Sequence, residues 1–400
     1  MRVLGVTLGS AATFAPLLVT CYAITFVIHI ASVSLSTLLP FHMVDLGGSR
    51  TQIGLLFSIS TMVSMVLRPT VGHWVDRVGA RRVIMPGVAA LAVTSVAFHF
   101  AATPEALIAL MMGIGLANGL VSTPASVVTA TTSAPAHRSE ALGTYYLASS
   151  LAIAVSPPLA FGLRALGGMQ LEFVAVTVVA LVLVVLVTRL PPAPASVPVA
   201  GSPALRLVSR RALPVSGALV LVTLGHSSVY AFLPLYAVSR GRGAALAWFF
   251  TVYPLWLIAC RAALRGISDR LGHVRVALIA MALHAVAFVV LAIPPTPLGL
   301  VIAAVLLATG GAVLYPTLVT LVVERADAAE RGLALGTLSG AWDLGVVVGS
   351  ALIGVAADRL VFGAGFAVGA LGAVLGVVAL AMIEARRLTH PESWRYLFDR

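Results

Sequence analysis

The sequence predicts an all-α integral membrane protein with twelve transmembrane helices in two pseudo-symmetric six-helix bundles. Hydrophobic residues make up 60% of the 400 residues and charged residues 10%, whereas soluble domains carry about 25% charged residues. Apolar stretches near the ~20 residues that a helix needs to cross the hydrocarbon recur along the whole chain. A charged motif is also present twice, 193 residues apart. Together these observations predict a duplicated membrane protein.

Twelve apolar runs lie between clusters of charged and turn-forming residues. An outer-membrane barrel would instead show alternating segments of about ten residues. The connections are short, so consecutive spans are expected to be neighbours. The approximate limits of spans 1 to 12 are 14–41, 52–73, 82–102, 105–130, 140–164, 171–189, 213–237, 244–265, 275–294, 297–323, 332–357 and 364–384.

One long polar connection divides the chain. Residues 190–212 contain five prolines, which exclude a continuous helix. We therefore predict an N-terminal bundle over 1–189, a cytoplasmic linker over 190–212, a C-terminal bundle over 213–385 and a cytoplasmic tail over 386–400.

The arginines predict the orientation. All 25 basic residues are arginine. If the N-terminus is cytoplasmic, 18 arginines fall on cytoplasmic segments, five fall outside and two lie within spans. Cytoplasmic loops of membrane proteins carry this excess of positive charge, so both termini are predicted inside. The same distribution accounts for the net charge of +11 without a nucleic-acid partner.

The repeated motif lies after spans 2 and 8. Arg68, Asp76, Arg77, Gly79 and Arg82 recur at the same offset as Arg261, Asp269, Arg270, Gly272 and Arg275. Arg138 and Arg331 begin a second repeated string, Arg-x-x-Ala-Leu-Gly-Thr, at the same offset. Because each half has an even number of spans, the two repeats run parallel in the membrane.

The first copy of the motif, in this twelve-span plan, resembles the signature of the major facilitator superfamily. The residues that carry the resemblance are Gly72, Asp76, Arg77, Gly79, Arg81 and Arg82. The resemblance covers essentially the whole chain, and the chain looks most like bacterial efflux permeases of the drug–proton antiporter type. It implies a multi-pass protein of the bacterial cytoplasmic membrane. The second copy departs from the signature at Arg265.

The resemblance implies that both motifs form a conformational latch. In the family, this acid engages the N-terminal end of helix 11, and its counterpart engages helix 5. A helix N-terminus carries roughly +0.5 charge, which attracts a carboxylate. We expect Asp76 near Gly332–Leu333 and Asp269 near Ser139–Ala141 when the cytoplasmic side is closed; a purely topogenic charge cluster is the alternative. The expected latch residues are Arg68, Gly72, Asp76, Arg77, Gly79, Arg82, Arg261, Asp269, Arg270 and Gly272.

Asp343 is the only acid that the span limits place well inside the membrane. Such a carboxylate is a proton-relay or ligand candidate, although a structural hydrogen bond or an arginine partner would also explain it. His29 lies in span 1, where polar residues spaced by three and four share one face. His226 lies in span 7, and both histidines could share the proton work.

The resemblance also implies a central cavity lined by spans 1, 4, 7 and 10, with spans 2, 5, 8 and 11 beside them. The candidate lining residues are His29, Asn118, Tyr145, His226, Tyr230, Tyr253, Trp256, Tyr315 and Trp342. Plain packing is the alternative for each aromatic residue. His99 and His284 lie on spans that are peripheral in the family, and we assign them no role.

The predicted function is secondary transport of a small organic solute by alternating access, as proton-coupled export. Protons are the expected coupling ion, membrane lipids surround a monomer, and no cofactor or metal is expected. The alternatives are uptake or export of one metabolite, such as a sugar, an amino-acid derivative or a metallophore, or a nontransporting sensor. The chain lacks His-Glu-x-x-His and a phosphate-binding loop, which disfavours an enzyme. Cys21 and Cys260 are too few for a disulfide framework or metal site.

Overall fold

A computed structural model describes residues 2–3, 6–7, 16–133, 137–190, 208–264, 266–327 and 330–389. A short antiparallel pair, β1 (Arg2–Val3) and β2 (Val6–Thr7), precedes the helices. Within the described residues, eleven helical segments are long and apolar enough to cross a membrane. Most of the predicted linker, 191–207, lies outside the described residues.

Five helices follow the β pair. They are α1 (Pro16–Asp45), α2 (Arg50–Val78), α3 (Ala80–Phe98), α4 (Pro104–Thr132) and α5 (Arg138–Thr188). Helix α5 contains spans 5 and 6, because Gly167 and Gly168 have non-helical backbone angles inside it. Its apolar segment has 48 residues, about 72 Å at 1.5 Å per residue, which is enough for two crossings of a ~30 Å hydrocarbon. The prediction of twelve spans is therefore confirmed.

The described residues of the second half of the chain form nine helices. They are α6 (Leu213–Thr223), α7 (His226–Ala231), α8 (Leu233–Ser239), α9 (Leu246–Ala263), α10 (Ile267–Leu271), α11 (His273–Ala292), α12 (Pro297–Arg325), α13 (Arg331–Arg359) and α14 (Phe362–Thr389). One turn of 3-10 helix, Gly243–Ala245, leads into α9.

Span 7 differs from the single helix predicted over 213–237, since it is divided into α6, α7 and α8. The first break lies at Gly225, where an added Cβ would collide with the Phe288 ring. Glycine therefore allows the chain to approach α11 closely. The second break lies at Phe232, two residues before Pro234. Proline has no N–H to donate to the preceding turn, which favours a break there.

The duplication is visible in how two corresponding helices begin. Thr103 caps α4 by accepting a hydrogen bond from Ala106 N at 3.2 Å. Thr296, 193 residues later, caps α12 by accepting one from Gly299 N at 3.0 Å. A proline follows each threonine at the first helical position, where its missing N–H costs nothing. The helices are equal in length, 29 residues each.

The α-carbon contacts separate the chain into two compact units. The first contains Met1–Gln52 and Ile59–Gly201, and the second contains Ile53–Ser58 and Ser202–Arg400. In the first unit, α1 packs on α4 and α5, and α3 packs on α4 and α5. In the second unit, α6 packs on α13 and α14, while α12 packs on α9 and α11. The all-α, two-unit architecture positions every site described below.

Candidate functional site

A polar cluster in the first unit joins α1 to α4. Ser32 Oγ donates a hydrogen bond to Asn118 Oδ1 at 2.7 Å. One turn earlier, His29 Nδ1 lies 2.7 Å from Thr25 O. A carbonyl oxygen only accepts, so Nδ1 carries the hydrogen in the neutral ring and Nε2 remains an acceptor. The cluster therefore offers an amide and an imidazole on adjacent helices.

Tyr145 extends this cluster onto α5. Its hydroxyl donates to Ser122 O at 2.8 Å, and its ring lies edge-on to Tyr146 with centroids 5.5 Å apart. Arg68 of α2 contributes to the electrostatic environment of His29, Tyr145 and Tyr146. The structure thus brings His29, Asn118 and Tyr145 together, and Arg68, one of the expected latch residues, acts on them through its charge.

Glu172 is a buried acid that the sequence analysis missed. Its side chain is 0% exposed within α5, and Ser34 Oγ of α1 donates to its Oε1. Glu172 is therefore a second buried acid beside Asp343, which the span limits alone single out. The span limits put Glu172 at the outer edge of span 6, whereas α5 packs it against the middle of α1. An acid four residues after Gly168 in an apolar segment was the available signal.

A chain of rings in the second unit joins α7, α12 and α13. The His226 and Trp342 rings lie edge-on with centroids 4.6 Å apart, and Trp342 meets Tyr315 edge-on at 5.6 Å. Tyr315 Oη lies 2.9 Å from Ser339 Oγ. These contacts bring three of the predicted lining residues into one aromatic cluster.

His284 of α11 belongs to the same cluster, although we assigned it no role from the sequence. Its ring stacks on His226 at 5.9 Å, and its Nδ1 lies 2.8 Å from Ala280 O. His226 Nδ1 has no hydrogen-bond partner among the described residues. The break at Gly225 lets α7 approach α11, which a prediction based on continuous spans could not anticipate.

Tyr230, Tyr253 and Trp256 form separate contacts in the second unit. Tyr253 stacks on Phe249 with ring centroids 5.8 Å apart, and the Tyr230 ring lies 6.2 Å from the Phe250 ring. Trp256 Nε1 donates to Thr309 Oγ1 at 3.0 Å. These contacts give the side chains structural roles whether or not they also meet a solute.

Asp343 is buried in α13, with 5% of its surface exposed. It follows Trp342 directly, so the two side chains point about 100° apart around the helix. Close by, a Cβ added at Gly345 would lie 2.6 Å from Val220 O of α6. The low exposure of Asp343 shows that neighbouring helices cover its carboxyl group, which belongs to a membrane-length apolar helix.

The two copies of the repeated motif form equivalent turns. Gly79, between α2 and α3, has φ +83°, and Gly272, between α10 and α11, has φ +89°. Glycine adopts this conformation without steric cost. The side chains of Arg77, Arg82 and Arg270 are exposed, while Arg261 is partly buried on α9. Asp269 Oδ1 lies 4.0 Å from His273 Nε2.

The predicted latch contacts remain a prediction. For Gly72 and Asp76 the structure describes the helical backbone of α2, and their surroundings lie outside the described part. Within the described residues, no three His, Cys, Asp or Glu side chains are grouped so that they could hold a metal ion.

Membrane-length helices in two compact units, with polar side chains buried among them, define a polytopic membrane protein. The Major Facilitator Superfamily model matches residues 21–264 and 240–397. The chain therefore belongs to the major facilitator superfamily, as the repeated motif indicates.

Two curated relatives align over most of their length. The staphylopine export protein of Staphylococcus aureus (strain Mu50 / ATCC 700699) is 26% identical over 358 residues, which cover 85% of this chain and 89% of the relative. An uncharacterised MFS-type transporter of Burkholderia mallei (strain SAVP1) is 26% identical over 385 residues, or 92% of each chain.

Two solved structures share the fold. A mutant of the nucleoside transporter NupG has a TM-score of 0.74 at 17% identity, covering 92% of this chain and 99% of that chain. A mutant of the peptide transporter POT has a TM-score of 0.77 at 16% identity, covering 92% and 94%. At these identities the likeness concerns the fold alone.

Proposed function

We propose that this protein is a secondary active transporter that exports a small organic solute across the bacterial cytoplasmic membrane in exchange for protons. Superfamily membership supports transport, and a relative named as an export protein supports the direction. The distribution of arginine supports an orientation with both termini inside. The proposed moving parts are the bundles 1–189 and 213–385, joined by the linker 190–212.

The observation that carries the proton coupling is the buried carboxyl group of Asp343. A charged side chain inside a membrane is costly unless it is paired or protonated. Asp343 is therefore suited to gain a proton in one conformation and lose it in another. The neighbouring His226–Trp342–Tyr315 cluster supplies an imidazole and two aromatic rings on adjacent helices.

The side chains of the two clusters favour a solute with both polar and flat apolar parts. The first unit offers the Asn118 amide and the Arg68 guanidinium, which can bind carbonyl or anionic groups. The second unit offers aromatic faces, which bind apolar rings and cations. Asp76 and Asp269 are proposed to control the direction in which the protein opens and to make no contact with the solute.

A proteoliposome experiment tests this function. Metabolite profiling of a deletion strain against an overexpressing strain first identifies candidate solutes. Purified protein is then reconstituted, and solute uptake is measured with either the lumen or the outside made acidic. Antiport predicts accumulation when the lumen is acidic, since protons leave as the solute enters. Accumulation only when the outside is acidic would favour the alternative of proton-coupled uptake, and no flux of any solute would count against transport.

Asp343→Asn tests the coupling residue. It should abolish gradient-driven accumulation while the protein still folds. Asp358→Asn is the matched control, because Asp358 lies at the exposed end of the same helix. Equal gradient-driven accumulation by the two variants would remove Asp343 from the mechanism.

A further inference from the structure

A second buried acid lies in the first unit, far along the sequence from Asp343. Glu172 is 0% exposed, and α5 packs there on α1 and α3. Its Oε1 shares a hydrogen bond with Ser34 Oγ of α1. Its Oε2 has no hydrogen-bond partner among the described residues. One hydroxyl group is thus the whole polar environment of this carboxyl group within the described structure.

The titratable groups on the helices packed against α5 leave Glu172 without a counter-ion. They are Cys21, Tyr22, His29, His42 and Asp45 on α1, Arg81 and Arg82 on α3 with His99 just after it, and Glu105 on α4. The rings of His42 and His99 contact the ring of the next residue, Phe173, with centroids 5.7 and 5.5 Å apart. Arg164, on α5 itself, lies 3.9 Å from Asp45.

We propose that Glu172 is a proton-binding site of the first unit, which holds a proton while Ser34 covers it. In the neutral carboxyl group, Oε2 carries the hydrogen, and Oε1 is the carbonyl oxygen that accepts the hydrogen bond from Ser34 Oγ. An ionised group would instead bury a negative charge with one hydrogen bond, which costs far more than burying a neutral polar group. When α1 separates from α5, the carboxyl O–H bond breaks, the proton passes to water, and a hydrated carboxylate remains.

Helix α1 connects this site to the polar cluster. Ser34 lies two residues after Ser32, whose hydroxyl group donates to Asn118. A movement of α1 that changes the contacts of Asn118 therefore also changes the contact between Ser34 and Glu172. The role of the site in transport rests on the proton coupling proposed above, whereas its protonation does not.

Infrared spectroscopy of the reconstituted protein measures the protonation directly. A protonated carboxyl group has a C=O stretching band that a carboxylate and an amide lack. At neutral pH, Glu172→Gln should lose one such band. Glu105→Gln should lose none, because Glu105 is exposed on α4. An unchanged carboxyl region in Glu172→Gln would overturn the proposal.

A second variant covers the case in which Glu172→Gln does not fold. Ser34→Ala removes the hydrogen bond, so the band should shift in frequency, and a band that stays in place would overturn the proposal. Parallel flux measurements separate this site from the proposed function. If Glu172 shows a protonated-carboxyl band but no gradient-driven transport occurs, the proposed transport function is refuted and the proton-binding site stands. If gradient-driven transport occurs but Glu172 shows no such band, the proton-binding site is refuted and the transport function stands.

Discussion

The ion pair between α12 and α14 gives a quantitative test of the second unit. Arg325 Nη2 donates to Glu384 Oε1 at 2.6 Å, and the two side chains are 10% and 14% exposed. Glu384→Gln removes the negative charge and leaves the guanidinium buried beside a neutral amide. Removing one partner of a buried ion pair costs about 3–5 kcal/mol. We expect a loss of this size in the free energy of unfolding.

An exposed ion pair in the same unit provides the control. Arg211 and Asp327 are also paired, but their side chains are 25% and 62% exposed. Exposed pairs contribute about 0–1 kcal/mol, so Asp327→Asn should change stability little. Denaturant unfolding of both purified variants in detergent measures the difference. Equal losses would refute the reasoning, because burial would then not determine the cost.

Two further predictions concern packing and the latch. A Cβ at Gly349 would lie 2.6 Å from the carbonyl carbon of Leu224, whereas one at Gly336 of the same helix meets nothing within 4 Å. Gly349→Ala should therefore cost about 1–3 kcal/mol; equal thermal midpoints for Gly349→Ala and Gly336→Ala would contradict this. Asp76→Asn should favour opening to the cytoplasm by about 0.3–1 kcal/mol, measured by spin-label distances with Asp45→Asn as control. An unchanged distance distribution would mean that the motif acts only as a topological signal.

The spans could be predicted from sequence because lipid imposes one strong condition. Every backbone polar group in the hydrocarbon must be bonded within the protein, so each apolar run of sufficient length becomes a helix. The positions at which a transmembrane helix is interrupted are less strongly determined by the local sequence. Glycine is common in transmembrane helices, so Gly225 gave no sign that it would interrupt one. Its break depends on the approach of Phe288, which lies far away in sequence.

The periodicity of single helices, together with the family resemblance, predicted part of the candidate site. The spacing of polar residues on α1 correctly placed His29 and Ser32 on one face, and the structure adds Asn118 to that face. The contacts of Glu172 and His284 depend on neighbours distant in sequence, Ser34 and His226. Such pairs depend on how helices dock, which the periodicity of a single helix does not reveal.

The division of span 7 has a consequence for biosynthesis. Helix α6 has 11 residues, about 16 Å at 1.5 Å per residue, which is roughly half of a ~30 Å hydrocarbon. The segment Leu213–Ala231 is also the least hydropathic of the eleven membrane-length segments in the described residues. The translocon selects helices by hydrophobicity, so this segment has the least favourable free energy of membrane insertion among them. Its packing partners α13 and α14 lie far later in the sequence, so the second half reaches its final fold only after both of these helices have been translated.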